Sequence, residues 1–335
     1  MNTHDKTAHR VRAVIAGTGS YLPARVMTNE DFTKIVDTSD EWIRTRTGIR
    51  ERRIAAPEEA ASDLAAKAGA RALEAAGLAA TDVDLIIVAT VTPDHLLPST
   101  ACLVQRALGA ERAFCFDLEA ACSGFIYGSE VARVFIESGR VRHALVIGAE
   151  KMSAIVDWTD RQTCVLFGDG AGAVLWSRAD DGRGLLATAM GSDGRLAELL
   201  VVPAGGSRKP ASAETVAARE HSIRMSGREV FRHAVVNMSQ AAREAIERAG
   251  CTLNEIDWVI PHQANQRIIE AIAERLELPM ERFYLNLERT GNMSGASIPV
   301  ALDEAVRAGR IRPGDRILTV AFGSGLTWGA SVIQL

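Results

Sequence analysis

A chain of 335 residues corresponds to about two domains at ~150 residues each, or to one large two-lobed body. Hydrophobic residues make up 47% and charged residues 24%, which excludes disordered and collagen-like classes. The formal net charge of −4 gives no general pull toward nucleic acid or an acidic membrane, and no stretch approaches the ~20 apolar residues that cross a bilayer.

The polar start, Met1-Asn2-Thr3-His4-Asp5-Lys6, lacks the apolar centre of a signal peptide. A strand is predicted over residues 11–16. It leads into Gly17-Thr18-Gly19-Ser20-Tyr21-Leu22, which lacks the third glycine and the distant acidic partner of a dinucleotide loop. Arg44, Arg46, Arg50, Arg52 and Arg53 then form either an anion-binding surface or a solvated face paired with Asp40, Glu41 and Glu51. Helices are predicted over 62–76, 131–138, 241–249 and 264–276. Further strands are predicted over 85–91, 114–118, 145–148, 258–260, 283–287 and 317–322. Near-continuous apolar strands divided by helices indicate a buried α/β sheet. Turn-rich residues 201–225 form an excursion that either covers a site or is a plain surface loop. The cysteines (Cys102, Cys115, Cys122, Cys164 and Cys251) include no CxxC, which favours a reducing cytoplasm over a disulfide framework. The histidines show no zinc-ligand spacing.

An internal repeat organises these elements. Ala76-Gly77 followed by Asp84-Leu85-Ile86-Ile87 matches Ala249-Gly250 followed by Asp257-Trp258-Val259-Ile260, at an offset of 173. Phe116-Asp117-Leu118-Glu119 resembles Leu285-Asn286-Leu287-Glu288, and Ser138-Gly139-Arg140-Val141 resembles Ala308-Gly309-Arg310-Ile311. Matches in one order predict a duplicated α/β unit, divided as residues 1–178 and 179–335. Ligands gather at the carboxyl ends of parallel strands. Three chemically capable side chains fall there: Cys122 after strand 114–118, His262 after 258–260, and Asn292 after 283–287. Cys122 opens a helix whose N-terminus lowers a thiol's pKa; its alternative is a small buried hydrophobe. His262, between Pro261 and a run of amides, is functional or structural. Asn292, beside Gly291, is functional or a turn and cap residue.

The segments Ala120-Ala121-Cys122-Ser123-Gly124-Phe125, Phe167-Gly168-Asp169-Gly170-Ala171-Gly172-Ala173, His262-Gln263-Ala264-Asn265, Gly291-Asn292-Met293-Ser294 and Phe322-Gly323-Ser324-Gly325-Leu326-Thr327-Trp328-Gly329 resemble β-ketoacyl-acyl-carrier-protein synthase III. The resemblance implies a thiolase-like α/β fold, with duplicated βα halves in five αβαβα layers and a homodimer. It implies decarboxylative condensation of a short acyl-CoA, such as acetyl-CoA, with malonyl-acyl-carrier-protein, initiating fatty acid synthesis without a cofactor or metal. A priming ketosynthase or acyltransferase of a secondary-metabolite pathway is the alternative.

By the same resemblance, Cys122 carries the acyl group, and His262 and Asn292 support decarboxylation. Backbone N–H groups of Cys122 and Ser324 form an oxyanion hole, although the family usually has Gly at the Ser324 position. Trp42 and Arg161 sandwich the CoA adenine, Arg46 meets a phosphate and Asn265 contacts the pantetheine. Arg232, Gln263, Arg267 and Arg275 meet the carrier protein, where Glu274 replaces a lysine of some relatives. Leu97 lines the partner subunit's acyl pocket.

Overall fold

The computed structural model describes residues 11–335, so the polar residues 1–6 weighed above lie outside it. One sheet contains β1 (Arg12–Tyr21), β2 (Leu85–Ala89), β3 (Phe114–Leu118), β4 (His143–Lys151) and β5 (Asp169–Ala179), ordered β1-β5-β4-β2-β3. The other contains β6 (Gly184–Ser192), β7 (Trp258–Pro261), β8 (Arg316–Gly323) and β9 (Thr327–Gln334), ordered β6-β9-β8-β7. β2 runs parallel to β3 and β4, and β7 runs parallel to β8; β5 and β9 are antiparallel to their neighbours. The second sheet thus repeats the first, less a counterpart of β3.

Helices α1 (Ala61–Ala76) and α2 (Thr100–Leu108) cover the outer face of the first sheet. Helix α3 (Gly124–Glu137) lies between the sheets, together with α6 (Ser297–Arg307). Helices α4 (Gly227–Ala249) and α5 (Gln266–Leu276) cover the second sheet. These are the five αβαβα layers expected of a thiolase-like fold. Each residue of β2 is buried, and burying one Leu or Ile side chain is worth roughly 1.5–3 kcal/mol.

The repeated sequence pairs are terminating devices. α1 ends at Gly77 (φ 65°) and α4 at Gly250 (φ 69°), left-handed positions that suit glycine. Leu78 N–H returns to Leu73 O at 3.1 Å, and Cys251 N–H to Ile246 O at 3.2 Å. Gly139 and Gly309 close α3 and α6 in the same way, with Arg140 donating to Phe135 O and Arg310 to Ala305 O. Asp84 accepts from Arg142 N at 2.8 Å, and Asp257 accepts from Arg316 N at 2.7 Å; each carboxylate ties the start of the neighbouring strand.

The third pair of matching segments is different. Residues 283–287 were expected to form a strand, but only a single bridge from Phe283 to Val259 forms there. The next amides, Asn286 N and Leu287 N, donate to the Gln263 Oε1 at 3.2 Å each, so the chain turns into the short helix Leu287–Thr290. β5, β6 and β9 have no counterpart in the predicted set. Their Gly- and Ala-rich sequences lack strand propensity, yet a larger side chain at Gly172 would collide with the α6 backbone at Val300. Gly17 and Gly19 serve the same purpose on β1, where the α1 backbone at Ala72 and Ala68 presses against them. That packing accounts for the glycines resembling a dinucleotide loop.

All five cysteines are free, although the sulfurs of Cys102 and Cys115 lie 3.5 Å apart.

Candidate active site

Cys122 sits on the tight turn Ala121–Ser123 that joins β3 to α3. Ala121 takes a left-handed φ of 46°, a conformation costing of order 1–3 kcal/mol for a residue with a Cβ. Gly323, at the end of β8, approaches this turn so closely that an added Cβ would lie 2.6 Å from Cys122 N. Glycine there lets the second half's strand reach Cys122.

Burial pushes the Cys122 thiol up to about 12. The Ser294 hydroxyl against the sulfur opposes this, and the charges of Glu150 and Glu119 add to it. The net effect is opposite to the lowering expected from the start of α3. Withdrawal from water outweighs the helix end here.

His262 follows β7, and its N–H donates to Val320 O on β8 at 2.7 Å. The side chain is 2% exposed, and burial pushes its pKa down to about 3, so the imidazole is neutral near pH 7. Its Nδ1 has no hydrogen-bond partner among the described residues. Asn292 is stitched to the first half: its N–H donates to Leu166 O at 2.9 Å, and its carbonyl accepts from Gly168 N at 3.0 Å. The side-chain Oδ1 accepts from Ser294 N at 2.8 Å. That bond orients the carboxamide and leaves Nδ2 as the free donor.

Cys122, His262 and Asn292 line one cavity of about 890 Å³, together with Ser294, Phe322 and Ser324. Trp42, Arg46 and Asn265 line it too. So do Val201, Val202, Ala204, Gly205 and Gly206. The 201–225 excursion, closed at its base by Leu200–Val201 pairing with Arg224–Met225, therefore covers the site.

Residues 116–194 match the family model for 3-oxoacyl-[acyl-carrier-protein] synthase III, and residues 246–335 match the model for its C-terminal part. A β-ketoacyl-[acyl-carrier-protein] synthase III of Caldanaerobacter subterraneus subsp. tengcongensis is 57% identical over 325 residues, spanning 97% of this chain and 98% of that protein. The chain belongs to the β-ketoacyl-acyl-carrier-protein synthase III family. The solved synthase III of Aquifex aeolicus is 51% identical with a TM-score of 0.90, covering 96% of this chain and all of that one. A priming β-ketosynthase of a polyketide biosynthetic pathway is 37% identical with the same TM-score, covering 96% of both chains.

In this synthase III chain the Asp40–Thr47 helix carries Trp42 and Arg46. The Arg46 guanidinium lies 4.5 Å from the Trp42 ring centroid, and that of Arg161 lies 5.1 Å from it. Arg161 also donates to Asp37 O at 2.7 Å. Asn265 caps α5, accepting from Arg267 N at 2.9 Å, while its Nδ2 donates to Arg46 O at 3.1 Å. It thereby joins the second half to the helix bearing Trp42.

The arginine cluster divides. Arg50 pairs with Glu288 at 2.6 Å and Arg44 with Asp40 at 3.6 Å. Arg52 is fully buried, donating to Met27 O, Asn29 Oδ1 and Val165 O, so it belongs neither to an anion surface nor to a solvated face. Arg232, Arg267 and Arg275 are exposed on α4 and α5. Arg232 and Arg267 adjoin the cavity-lining Phe231 and Ile268.

Gln263 requires a correction. It is fully buried; its Nε2 donates to Pro261 O at 2.9 Å and to Tyr284 O at 3.3 Å, while its Oε1 holds the two amides of Asn286 and Leu287. No surface remains on it for a carrier protein. It braces the polypeptide between His262 and Asn292. Leu97 is 87% exposed, and it is the neighbouring Leu96 that lines this chain's own cavity.

The sequence reading missed Ser294 and Glu150. Glu150 is fully buried at the end of β4, where Thr92 Oγ1 donates to it at 2.7 Å and Val91 N at 3.1 Å. A glutamate within an apolar strand was the available signal. Among the described residues no group of three or more His, Cys, Asp or Glu is placed to hold a metal ion, and no helix is long and apolar enough to cross a membrane.

Proposed function

We propose that the chain condenses a short acyl group from acyl-CoA, acetyl-CoA first among them, with malonyl-acyl-carrier-protein. The products are 3-oxoacyl-acyl-carrier-protein, CoA and CO2, and the step initiates fatty acid synthesis in the cytoplasm. The carrying observation is that Cys122, His262 and Asn292 line one cavity that also reaches Trp42 and Arg46.

In this reading Cys122 Sγ attacks the acyl carbonyl and CoA leaves, so one difficult condensation becomes two easier steps. The malonyl thioester then enters. The neutral His262 ring and Asn292 Nδ2 donate to its thioester oxygen as CO2 departs and enolate charge develops there. The enolate carbon attacks acyl-Cys122, and the thiolate leaves. The main-chain N–H groups of Cys122 and Ser324 stabilise the oxyanion in both acyl transfers. Only the main-chain amide is required at Ser324, and its hydroxyl is directed away to Leu200 O. A neutral imidazole suits this role because it donates without first needing a proton.

Trp42 and Arg161 grip the adenine, Arg46 the phosphates and Asn265 the pantetheine. Arg232, Arg267 and Arg275 receive the acidic carrier protein. The halves 1–178 and 179–335 each contribute strand ends to the site. Dimerisation uses the free edge of β3, where Phe114 is 46% exposed, and brings Leu97 to the partner's acyl pocket.

The test supplies acetyl-CoA and malonyl-acyl-carrier-protein. Expected are CO2, acetoacetyl-carrier-protein, and an acetyl mass increment on Cys122 that Cys122→Ala abolishes along with the condensation. Acyl transfer without CO2 release would instead favour the priming or acyltransferase reading, which the 37% identity to a priming β-ketosynthase keeps as the second choice.

A further inference from the structure

The cavity around Cys122 has a counterpart that the proposed chemistry does not touch. A second cavity, of about 530 Å³, shares none of its lining residues. The first half contributes Ser20, near the end of β1, and Arg71 on α1. The second contributes Tyr284, Arg289 on the short helix Leu287–Thr290, and Asp303, Glu304 and Arg307 on α6. Three guanidinium groups from three elements thus border one space, against two carboxylates, and both carboxylates are already engaged. Asp303 is 1% exposed and accepts from Thr18 Oγ1 at 2.8 Å, Ser20 Oγ at 2.6 Å and Arg307 Nε at 2.9 Å, which ties α6 to β1. Glu304 Oε2 accepts from Asn286 Nδ2 at 2.9 Å and from Arg289 Nη2 at 3.2 Å. Arg71 has no carboxylate partner among the described residues; its Nη1 donates to Ser20 O. A face built only for self-neutralisation looks different: Arg133 on α3 stands between Glu130 and Glu137.

We infer that this cavity binds a phosphate dianion, free or as the head of a small phosphomonoester, between Arg71 of the first half and Arg289 and Arg307 of the second. The inference is independent of the acyl-Cys122 reading. Each guanidinium has five N–H donors in a planar fork, so all three keep donors beyond the bonds above. That fork takes two phosphate oxygens at once. A phosphomonoester carries a charge of about −1.5 to −2 near neutral pH and three acceptor oxygens, where a carboxylate offers one charge and two oxygens.

Size and charge narrow the occupant. Small-molecule sites measure about 300–1,000 Å³, and phosphate alone leaves most of this one for a carbon framework beside Tyr284 and Ala308. Burial and the Glu304 charge push the Tyr284 hydroxyl up, so it stays protonated and able to donate. Asp303 and Glu304 oppose a ligand that brings further negative charge, which disfavours di- and triphosphates. Ser20 stands on β1, the edge of its sheet opposite β3, so the cavity lies away from an interface built on β3.

The test is equilibrium dialysis of the full chain near neutral pH and at low salt, with radiolabelled inorganic phosphate, glucose 6-phosphate and glucuronate as probes. A phosphate probe should bind at one site per chain, and glucuronate, the matching sugar carboxylate, at least about 10-fold more weakly. Tighter binding of glucose 6-phosphate than of inorganic phosphate assigns the site to a phosphomonoester; equal or weaker binding assigns it to free phosphate. Arg71→Ala and Arg289→Ala should each weaken binding at least about 5-fold, with thermal unfolding unchanged because both side chains are exposed. Arg46→Ala, which alters the Cys122 cavity, should bind phosphate as the wild type does. Retained binding in Arg71→Ala/Arg289→Ala overturns the inference. So does loss of binding in Arg46→Ala, which would move the anion to the Cys122 cavity. Absence of binding by both phosphates to the wild type, or glucuronate binding equally well, also overturns it.

Discussion

Where β4 ends, the first half holds Glu150; at the matching end of β8, 173 residues later, the second half holds Gly323. β2 ends in Ala89, and the position 173 residues on is His262. The helix caps and strand ties occur in both copies, each satisfying backbone groups at a helix or strand end. The residues at the matching strand ends differ. In the proposed mechanism the first half offers the thiol of Cys122, and the second offers the nitrogen donors of His262 and Asn292 and the close-approach glycine Gly323. On that mechanism, division of labour in the site follows the duplication.

The largest effect that would break this division comes from the second half's donors. Asn292→Ala should lower condensation by about 10²–10³-fold, the value of one oxyanion donor, while Cys122 still takes the acetyl group. Loss of loading equal to loss of condensation would show that the halves do not act on separate steps. A smaller effect concerns the brace between those donors. Gln263→Leu strands the amides of Asn286 and Leu287 in the interior and should cost about 2 kcal/mol, read by urea unfolding. Arg267→Glu on the nearby surface should leave stability unchanged and raise KM for malonyl-acyl-carrier-protein several-fold, less so at high salt. A stable Gln263→Leu with weakened docking would reverse the correction made for that residue.

The smallest effect sharpens the electrostatic contrast. His262 has a folded pKa of about 3 against 6.5, so its contribution to stability is complete above pH 6.5 and is lost as pH falls. Glu150 has a folded value of about 7 against 4.5, so its contribution is complete below pH 4.5 and is lost as pH rises through 7. Between pH 4.5 and 6.5 the two slopes oppose each other. Glu150→Gln should expose the histidine slope, about 1.4 kcal/mol per pH unit, in urea titrations at pH 6 and 5. Identical acid slopes in the variant and the parent would remove the contrast.

Apolar strands such as Leu85–Ala89 were legible in the sequence because burial on both faces leaves an unbroken run. The cap pairs Gly77/Gly250 and Gly139/Gly309 were legible because each satisfies a local rule within one helix end. The antiparallel strands around Gly172 were not, since their glycines answer to a helix more than a hundred residues away. The start of α3 was legible from the small residues around Cys122 and not from periodicity, since Phe125, Ile126 and Gly128 are buried between two sheets and show no polar face. Of the site, Cys122, His262 and Asn292 could be singled out by position. Their convergence and the burial of Gln263 depend on contacts between segments with no common sequence signature.

The main-chain bonds joining Asn292 to Leu166 and Gly168 also bear on biosynthesis. A ribosome making this protein releases the thiol-bearing half long before residues 292–324 leave its tunnel. Until then Cys122 has neither Asn292 nor His262 beside it, so on the proposed mechanism a truncated product carries a thiol without the groups that serve it. Competence arrives only when the tail threads back across the seam.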